Sequence, residues 1–383
     1  MKNILILGYH KFPEGDARSV RLECFAKILK ELNNDVVVAG LGDYTAFNYK
    51  TKDDIKYISL RGKGSNFFSK AFNYLFYLTR LKKYVLSQID KFDCIILGIT
   101  DKKIINFSKR YAKKFKAKVI LDAVEWYSKE QFKFGGFAKA YRDNNKMNTV
   151  WIDKSISVIS ISKYLHSYFS SRGINSIKIP VIVDVDAIKC DKEILNDKVV
   201  ISYAGMPGKK DYFSEVLKGL LLLSDEELKK IELRIMGATL DALKENVQLL
   251  DCEWDRLSNT VNCLGRISRN EVLKNLSQSD FTILIRSDTQ RYAKAGFPTK
   301  VPESLSTGTP IICNFTSDLK DYLVDGYNCF EVKSLDVTSL LEVYKKIINL
   351  NIEEKEVLFN NARRTAEKYF DYKNYISQVN EII

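Results

Sequence analysis

The 383-residue sequence predicts an α/β protein built from two Rossmann-like, doubly wound parallel-sheet domains with a ligand cleft between them. Three observations carry this expectation. Short apolar runs alternate with longer amphipathic stretches along the whole chain, the alternation breaks and restarts after residue 180, and glycine-bearing turns follow several of the runs. The length suits two domains that each bury a core of their own.

In the first half, Ile4 to Leu7, Val36 to Ala39, Tyr57 to Leu60, Cys94 to Leu97, Val119 to Leu121 and Ile156 to Ile159 read as strands covered on both faces. Ala17 to Leu32 and Ile104 to Phe115 carry helical spacing between them. Pro180 to Asp197 holds a proline, several charges and little periodicity, and reads as the linker. The strand rhythm resumes with Val199 to Tyr203, Glu232 to Met236, Val261 to Leu264, Phe281 to Ile285, Ile311 to Cys313 and Cys329 to Val332, and the tail from Glu353 to Ile383 is helical in composition. These patterns divide the chain into a domain at 1–182 and a domain at 196–367.

Composition excludes several function classes. Seven widely spaced cysteines without a Cys-x-x-Cys pair read as a reduced inventory, and two histidines, His10 and His166, leave no zinc spacing, so no metal site is expected. The segment from Met1 is too brief for a signal-peptide core and no run reaches membrane-spanning length, so the reading is a cytoplasmic protein. Sixty basic residues against 48 acidic ones give a net charge of +12, which favours anionic partners. No helix-turn-helix or RNA-binding aromatic motif accompanies that charge, so no nucleic acid partner is expected.

The stretch from Ala293 to Val332 is the most informative. Gly296 and Phe297 follow the apolar run ending at Ile285, Thr299 stands where it can cap a new helix, and Pro302 is tolerated because it falls in that helix's first turn. A strand, a glycine turn and a helix start make an anion site, and Glu303, one turn in, is placed to accept bonds from hydroxyls. Phosphate beside ribose is the ligand this layout suggests. Glu303, Gly308-Thr309-Pro310 and Asp325-Gly326 resemble the hallmark of glycosyltransferase family 4, the retaining GT-B enzymes that use nucleotide-activated sugars. In that hallmark seven residues separate a first acid from the second. Ala295 occupies its place here, where the family holds the donor sugar and developing charge.

The resemblance nominates further residues. Gly8 to Arg18, with Gly15, is similar to the family's first glycine-rich loop. Gly205, followed by Lys209 and Lys210, resembles the segment that brings a base to the diphosphate; Met206 stands where the family has an arginine, leaving Lys209, Lys210, Arg286 and Lys300 to share the charge. Arg266 and Ile267 lie in a loop similar to the one that reads the nucleobase. Asp122 and Glu125, at a strand's carboxyl end, are candidates for orienting or deprotonating the acceptor hydroxyl, or else a helix cap and a solvated acid. Lys210 completes the catalytic candidates. The basic aromatic stretch at 63–84 either packs on the first sheet or rests on an anionic membrane.

By this resemblance the last helix, at about 368–383, crosses back to the first domain. The second domain binds the donor, a UDP-sugar in preference to a GDP-sugar, and the first binds a glycan or lipid-linked glycan acceptor. The implied activity is metal-independent hexosyl or N-acetylhexosaminyl transfer in surface-polysaccharide synthesis, with the nucleotide-sugar as co-substrate and no cofactor. Ala295 and Met206 motivate an alternative, a catalytically silent GT-B subunit that supports a partner transferase.

Overall fold

Fourteen strands fall into two sheets in the computed structural model, which describes residues 1–12, 17–41, 48–61, 67–190, 192, 198–208 and 210–383. The first sheet comprises β1 (Asn3–Lys11), β2 (Asp35–Leu41), β3 (Lys50–Lys52), β4 (Ile55–Arg61), β5 (Cys94–Gly98), β6 (Lys118–Ala123), β7 (Ser157–Ser160) and β8 (Ser176–Lys178). Their spatial order is β3-β4-β2-β1-β5-β6-β7-β8, and every pairing except β3 with β4 is parallel. The second sheet comprises β9 (Val199–Ala204), β10 (Ile231–Met236), β11 (Val261–Gly265), β12 (Phe281–Leu284), β13 (Ile311–Cys313) and β14 (Cys329–Glu331), in the order β11-β10-β9-β12-β13-β14, all parallel.

The chain therefore has the α/β, doubly wound architecture expected of it, once in each of two compact units: Met1–Val183 with Tyr372–Ile383, and Asp184–Asp371. In both sheets strand order reverses once, between β1 and β5 in the first and between β9 and β12 in the second. Crossovers on either side of such a reversal leave opposite faces of the sheet, and the gap they leave at the carboxyl ends of the strands is where open α/β sheets bind ligands.

Local chemistry sets the elements. β5 buries Cys94, Ile95, Ile96 and Leu97. The helix Lys102–Phe115 starts ahead of the expected Ile104 because Asp101 accepts bonds from the backbone N–H groups of Lys103, at 2.8 Å, and Ile104. Two strands were not expected, β3 and β8; each has three residues and a polar sequence, so neither shows an apolar run.

The expected linker differs from the structure at its start. Val181, Ile182 and Val183 are buried, and Ile182 belongs to the first unit's core with Ile4, Ile6 and Phe25. The chain returns to that core after the long helix Ile352–Tyr369: Tyr372 donates its N–H to Val183 O at 3.0 Å and its hydroxyl to Glu31 at 2.8 Å, while Val379, Ile382 and Ile383 are buried beside Ile4 and Phe25. In the helix Phe67–Ser87, Tyr77, Leu81, Tyr84 and Val85 are buried, so this end of the basic aromatic stretch is core. Among the described residues no helix is long and apolar enough to cross a membrane.

Candidate functional site

At the reversal of the second sheet, Gly205 directly follows β9 and Arg286 lies two residues beyond the end of β12. Gly205 has φ +137°, and a Cβ built there would stand 3.2 Å from the Lys300 ammonium. Gly237, at the end of β10, has φ +129° and would drive a Cβ to 2.7 Å from the Gly205 backbone. Only glycine fits both positions, and their close approach brings Lys300 over the strand end.

The centre of this region is a residue that the sequence reading did not single out. Asp211, whose side chain is 8% exposed, accepts a 2.7 Å bond from Arg286 Nε, lies 3.6 Å from Lys300 Nζ and accepts a hydrogen bond from the Tyr203 hydroxyl. The Lys300 ammonium also sits over the Tyr203 ring, 3.7 Å from its centroid. Asn314 fixes the Arg286 backbone from both sides, accepting its N–H at 2.9 Å and donating to its carbonyl at 2.8 Å. Tyr292 donates to the Lys210 carbonyl at 3.3 Å and turns its ring toward the Lys210 ammonium. Arg286, Lys300 and Lys210, all named from the sequence, are thus gathered by Asp211, Tyr203 and Tyr292. The available signal was an acid directly after a Lys-Lys pair in a turn leaving a strand, a pattern that also describes ordinary solvated charge.

Electrostatics follow from the burial. Desolvation pushes Lys300 down to about 8, against the attraction of Asp211. Burial alone would raise the Asp211 carboxyl, but Lys300, Arg286 and the Tyr203 hydroxyl outweigh it and hold it below its ordinary value. The Tyr203 phenol is raised by burial and by the Asp211 charge.

Glu303 lies on the helix Lys300–Ser306, about one-fifth exposed and 3.5 Å from Arg269. Burial raises its carboxyl despite Arg269 and Lys300. It lines a small pocket with Ser202, Ala204, Thr282 and Lys300. Arg269, at the start of a helix capped by Ser268, is a second partner the sequence did not suggest.

Two expectations about this stretch need correction. Thr299 occupies the N-cap position but has helical φ and ψ and makes no side-chain cap bond, and the helix is only seven residues long. Positive charge here comes from Lys300 and Arg286 more than from a helix end. Phe297 is 6% exposed and packs edge-on against Tyr322 at 5.7 Å and beside Phe370 at 5.8 Å, so its side chain is core and only its main chain can meet a ligand. Gly296 is extended, with φ −85° and ψ 171°, and Ala295 is fully buried at the end of the helix Arg291–Ala295. Arg266 is exposed and Ile267 half-buried after β11. Gly15 and Lys209 lie outside the described residues.

In the first unit, a pocket at the carboxyl ends of β5 and β6 is lined by Arg18, Gly98, Thr100, Asp122, Glu125 and Asn144, among others. The two carboxylates differ. Asp122 is buried in a bidentate pair with Arg21, whose Nε lies 3.0 Å from both carboxylate oxygens and whose Nη2 lies 2.9 Å from Oδ1. Arg21 also donates to the carbonyls of Ile179, at 3.1 Å, and Pro180. Asp122 is therefore committed to Arg21 at the pocket wall. Glu125 is one-third exposed, 3.3 Å from Arg18, and bonded to the Tyr127 hydroxyl, whose ionisation burial and that carboxylate push up.

Residues 184–365 match the family model described as glycosyl transferases group 1, which places that domain in the second unit and covers a little under half the chain. Curated proteins gave no match. Solved structures resemble the chain over essentially its whole length. Sucrose-phosphate synthase from Thermosynechococcus elongatus has a TM-score of 0.74 at 11% identity, covering 100% of this chain and 98% of its own. Anabaena HepE, in complex with UDP and glucose, gives 0.69 at 16%, covering 100% and 99%. WaaG, a glycosyltransferase involved in lipopolysaccharide biosynthesis, gives 0.65 at 12%, covering 98% and 99%. At these identities the likeness shows the fold, which is GT-B.

Proposed function

We propose that this chain is a retaining glycosyltransferase that moves a sugar from a nucleotide-sugar, UDP-linked in preference to GDP-linked, to a hydroxyl of a lipid-linked surface glycan. The observation that carries this reading is the gathering of Arg286, Lys300 and Lys210 at the strand reversal of the unit that matches the group 1 domain. Two fixed cations beside a buried carboxylate are suited to a diphosphate, because their charge is in place before the leaving group departs. Glu303, in its pocket, accepts the ribose hydroxyls. The nucleotide preference takes support from HepE, the acceptor from WaaG, each by what is said of that protein.

In this mechanism the phosphate oxygen of the departing diphosphate takes the acceptor proton on the face it leaves, so the anomeric configuration is kept. The chain's lysines and arginine stabilise the diphosphate without a metal. Glu125 orients the acceptor hydroxyl on the first unit, and Asp122 positions Arg21 instead. The enzyme works in the cytoplasm, at the inner face of the plasma membrane. Calorimetric titration with UDP, GDP and their sugar conjugates in metal-free buffer tests the donor site: micromolar binding to one nucleotide family, weakened in Glu303→Ala, is expected, and no binding to any of them refutes it.

A second reading has its own observation. Ala295 is buried where the hallmark places an acid, and exposed Met206 stands where it places an arginine, as in a silent subunit that binds nucleotide for a partner transferase. Turnover of an activated sugar by the purified chain excludes that reading.

A further inference from the structure

Between Tyr127 and Lys146 the first unit makes an excursion of two short turns, Lys129–Gln131 and Gly135–Phe137, followed by the helix Lys139–Lys146. Both ends are fastened beside Glu125. Asn144 accepts the Tyr127 N–H at 2.9 Å and donates to the Glu125 carbonyl at 3.1 Å, and Asn145 accepts from the Trp126 indole at 3.0 Å. Inside, Phe132 packs edge-on against Tyr127 at 5.4 Å and near Tyr141 at 6.4 Å. The other two phenylalanines are left in solvent: Phe134 is 72% exposed and Phe137 86% exposed. Gly135, between them, has φ +50° and, its chain neighbours aside, open space where a Cβ would be. A braced loop that holds two phenylalanines in water forgoes burial it could otherwise gain, which marks a surface that is covered in use.

Charge decides what covers it. Lys129, Lys133, Lys139, Arg142 and Lys146 flank the phenylalanines along the chain and are exposed, against Glu130 and an Asp143 that pairs with Lys139. Two exposed phenylalanines in a segment whose exposed charges are mostly basic match a bilayer with anionic headgroups, where the rings enter the acyl boundary and the ammonium groups stay at the phosphates. A second copy of this positive face would be repelled, and phenylalanines spaced by a glycine turn do not form a continuous stacking platform for a nucleic acid strand.

We infer that Phe134 and Phe137, with the lysines that flank them, dock the first unit onto an anionic membrane. The proposal deepens the lipid-linked acceptor reading, since the helix that follows the phenylalanines is tied through Asn144 to the backbone of Glu125; its geometry does not depend on that reading.

The test is sedimentation of the full chain, without nucleotide, with vesicles of phosphatidylcholine alone or with about a third phosphatidylglycerol. Binding to the anionic vesicles alone is expected. Phe134→Ser/Phe137→Ser should weaken it by at least about tenfold, Lys129→Gln/Lys133→Gln/Lys139→Gln by on the order of 100-fold, and both should keep the wild-type melting temperature because these side chains are exposed. Emission of a Phe137→Trp variant should shift to the blue on anionic vesicles. Binding that survives the double serine change would place the membrane contact elsewhere, such as residues 63–84, and overturn the assignment. So would an absence of vesicle binding, or a change of oligomeric state in the serine variant without it. UDP titration of the same preparations separates the two claims: a chain that binds vesicles through this loop but no nucleotide would refute the donor site and leave the docking surface standing.

Discussion

Lys300 is buried enough to titrate near neutrality and charged enough to matter if it does. Desolvation brings it to about 8, while Asp211, 3.6 Å away, opposes that drop; Arg286 adds to it, and Glu303 acts with Asp211. Only the protonated amine attracts a diphosphate, so UDP affinity should be full below pH 8 and fall as pH rises through it. Asp211→Asn should move that fall to lower pH by removing the carboxylate that favours the ammonium, and Lys300→Arg should abolish it because a guanidinium does not deprotonate. A pH-independent affinity in the wild type would show that Lys300 does not contact the ligand. At fixed pH 7, Lys300→Ala should weaken UDP by roughly 10- to 150-fold, the equivalent of about 1.5 to 3 kcal/mol for one charged hydrogen bond. At this scale the sequence named the cations and Glu303 as candidates, because glycine turns and a helix start mark their places. It did not show Asp211 or Arg269, since pairing across sheet ends is invisible to spacing along the chain.

The helix Ala17–Glu31 is joined to β6 and to the segment after β8 by a single guanidinium. Arg21 binds Asp122 bidentately, reaches the carbonyls of Ile179 and Pro180, and lies 4.8 Å from the Phe25 ring centroid. Removing one partner strands the other charge in the core, so Arg21→Met should cost about 3–5 kcal/mol in urea unfolding of the first unit. Arg21→Met/Asp122→Leu should recover part of this but not all, because the two carbonyls lose their donor. If the double variant is no more stable than the single one, the ion pair is not what the loss reports. The sequence named Asp122 from its place at the end of a parallel strand but could not show its partner, 101 residues away. Regular elements were more legible. Strands with continuous apolar runs, such as β5 and β9, fell where the pattern put them, whereas β3, β8 and the π-helical turn Met147–Trp151 carry no periodicity of their own and are set by their neighbours.

The whole molecule is two sheets in two units, the first of them discontinuous in the chain, since residues 372–383 complete the unit that residue 1 begins. Composition announced two cores, but the point where the first resumes depends on which unit buries Tyr372, Val379, Ile382 and Ile383, four residues with no distinctive local pattern. Each large apolar side chain contributes about 1.5 to 3 kcal/mol when buried, so these four together contribute roughly 6 to 12 kcal/mol as an upper limit. That is comparable to the entire stability of an ordinary domain, about 5 to 15 kcal/mol. A chain ended at Asp371 should therefore lose the cooperative unfolding of its first unit, while the second, whose residues end there, keeps its own transition and binds UDP with wild-type affinity. Hydrogen exchange would locate the change: amides of β1, β2 and β5 should lose protection and those of β9, β10 and β12 should keep it. Loss of protection in both sheets would mean that the two units do not fold independently, and retained protection in β1 would mean that the four side chains contribute far less than their burial implies.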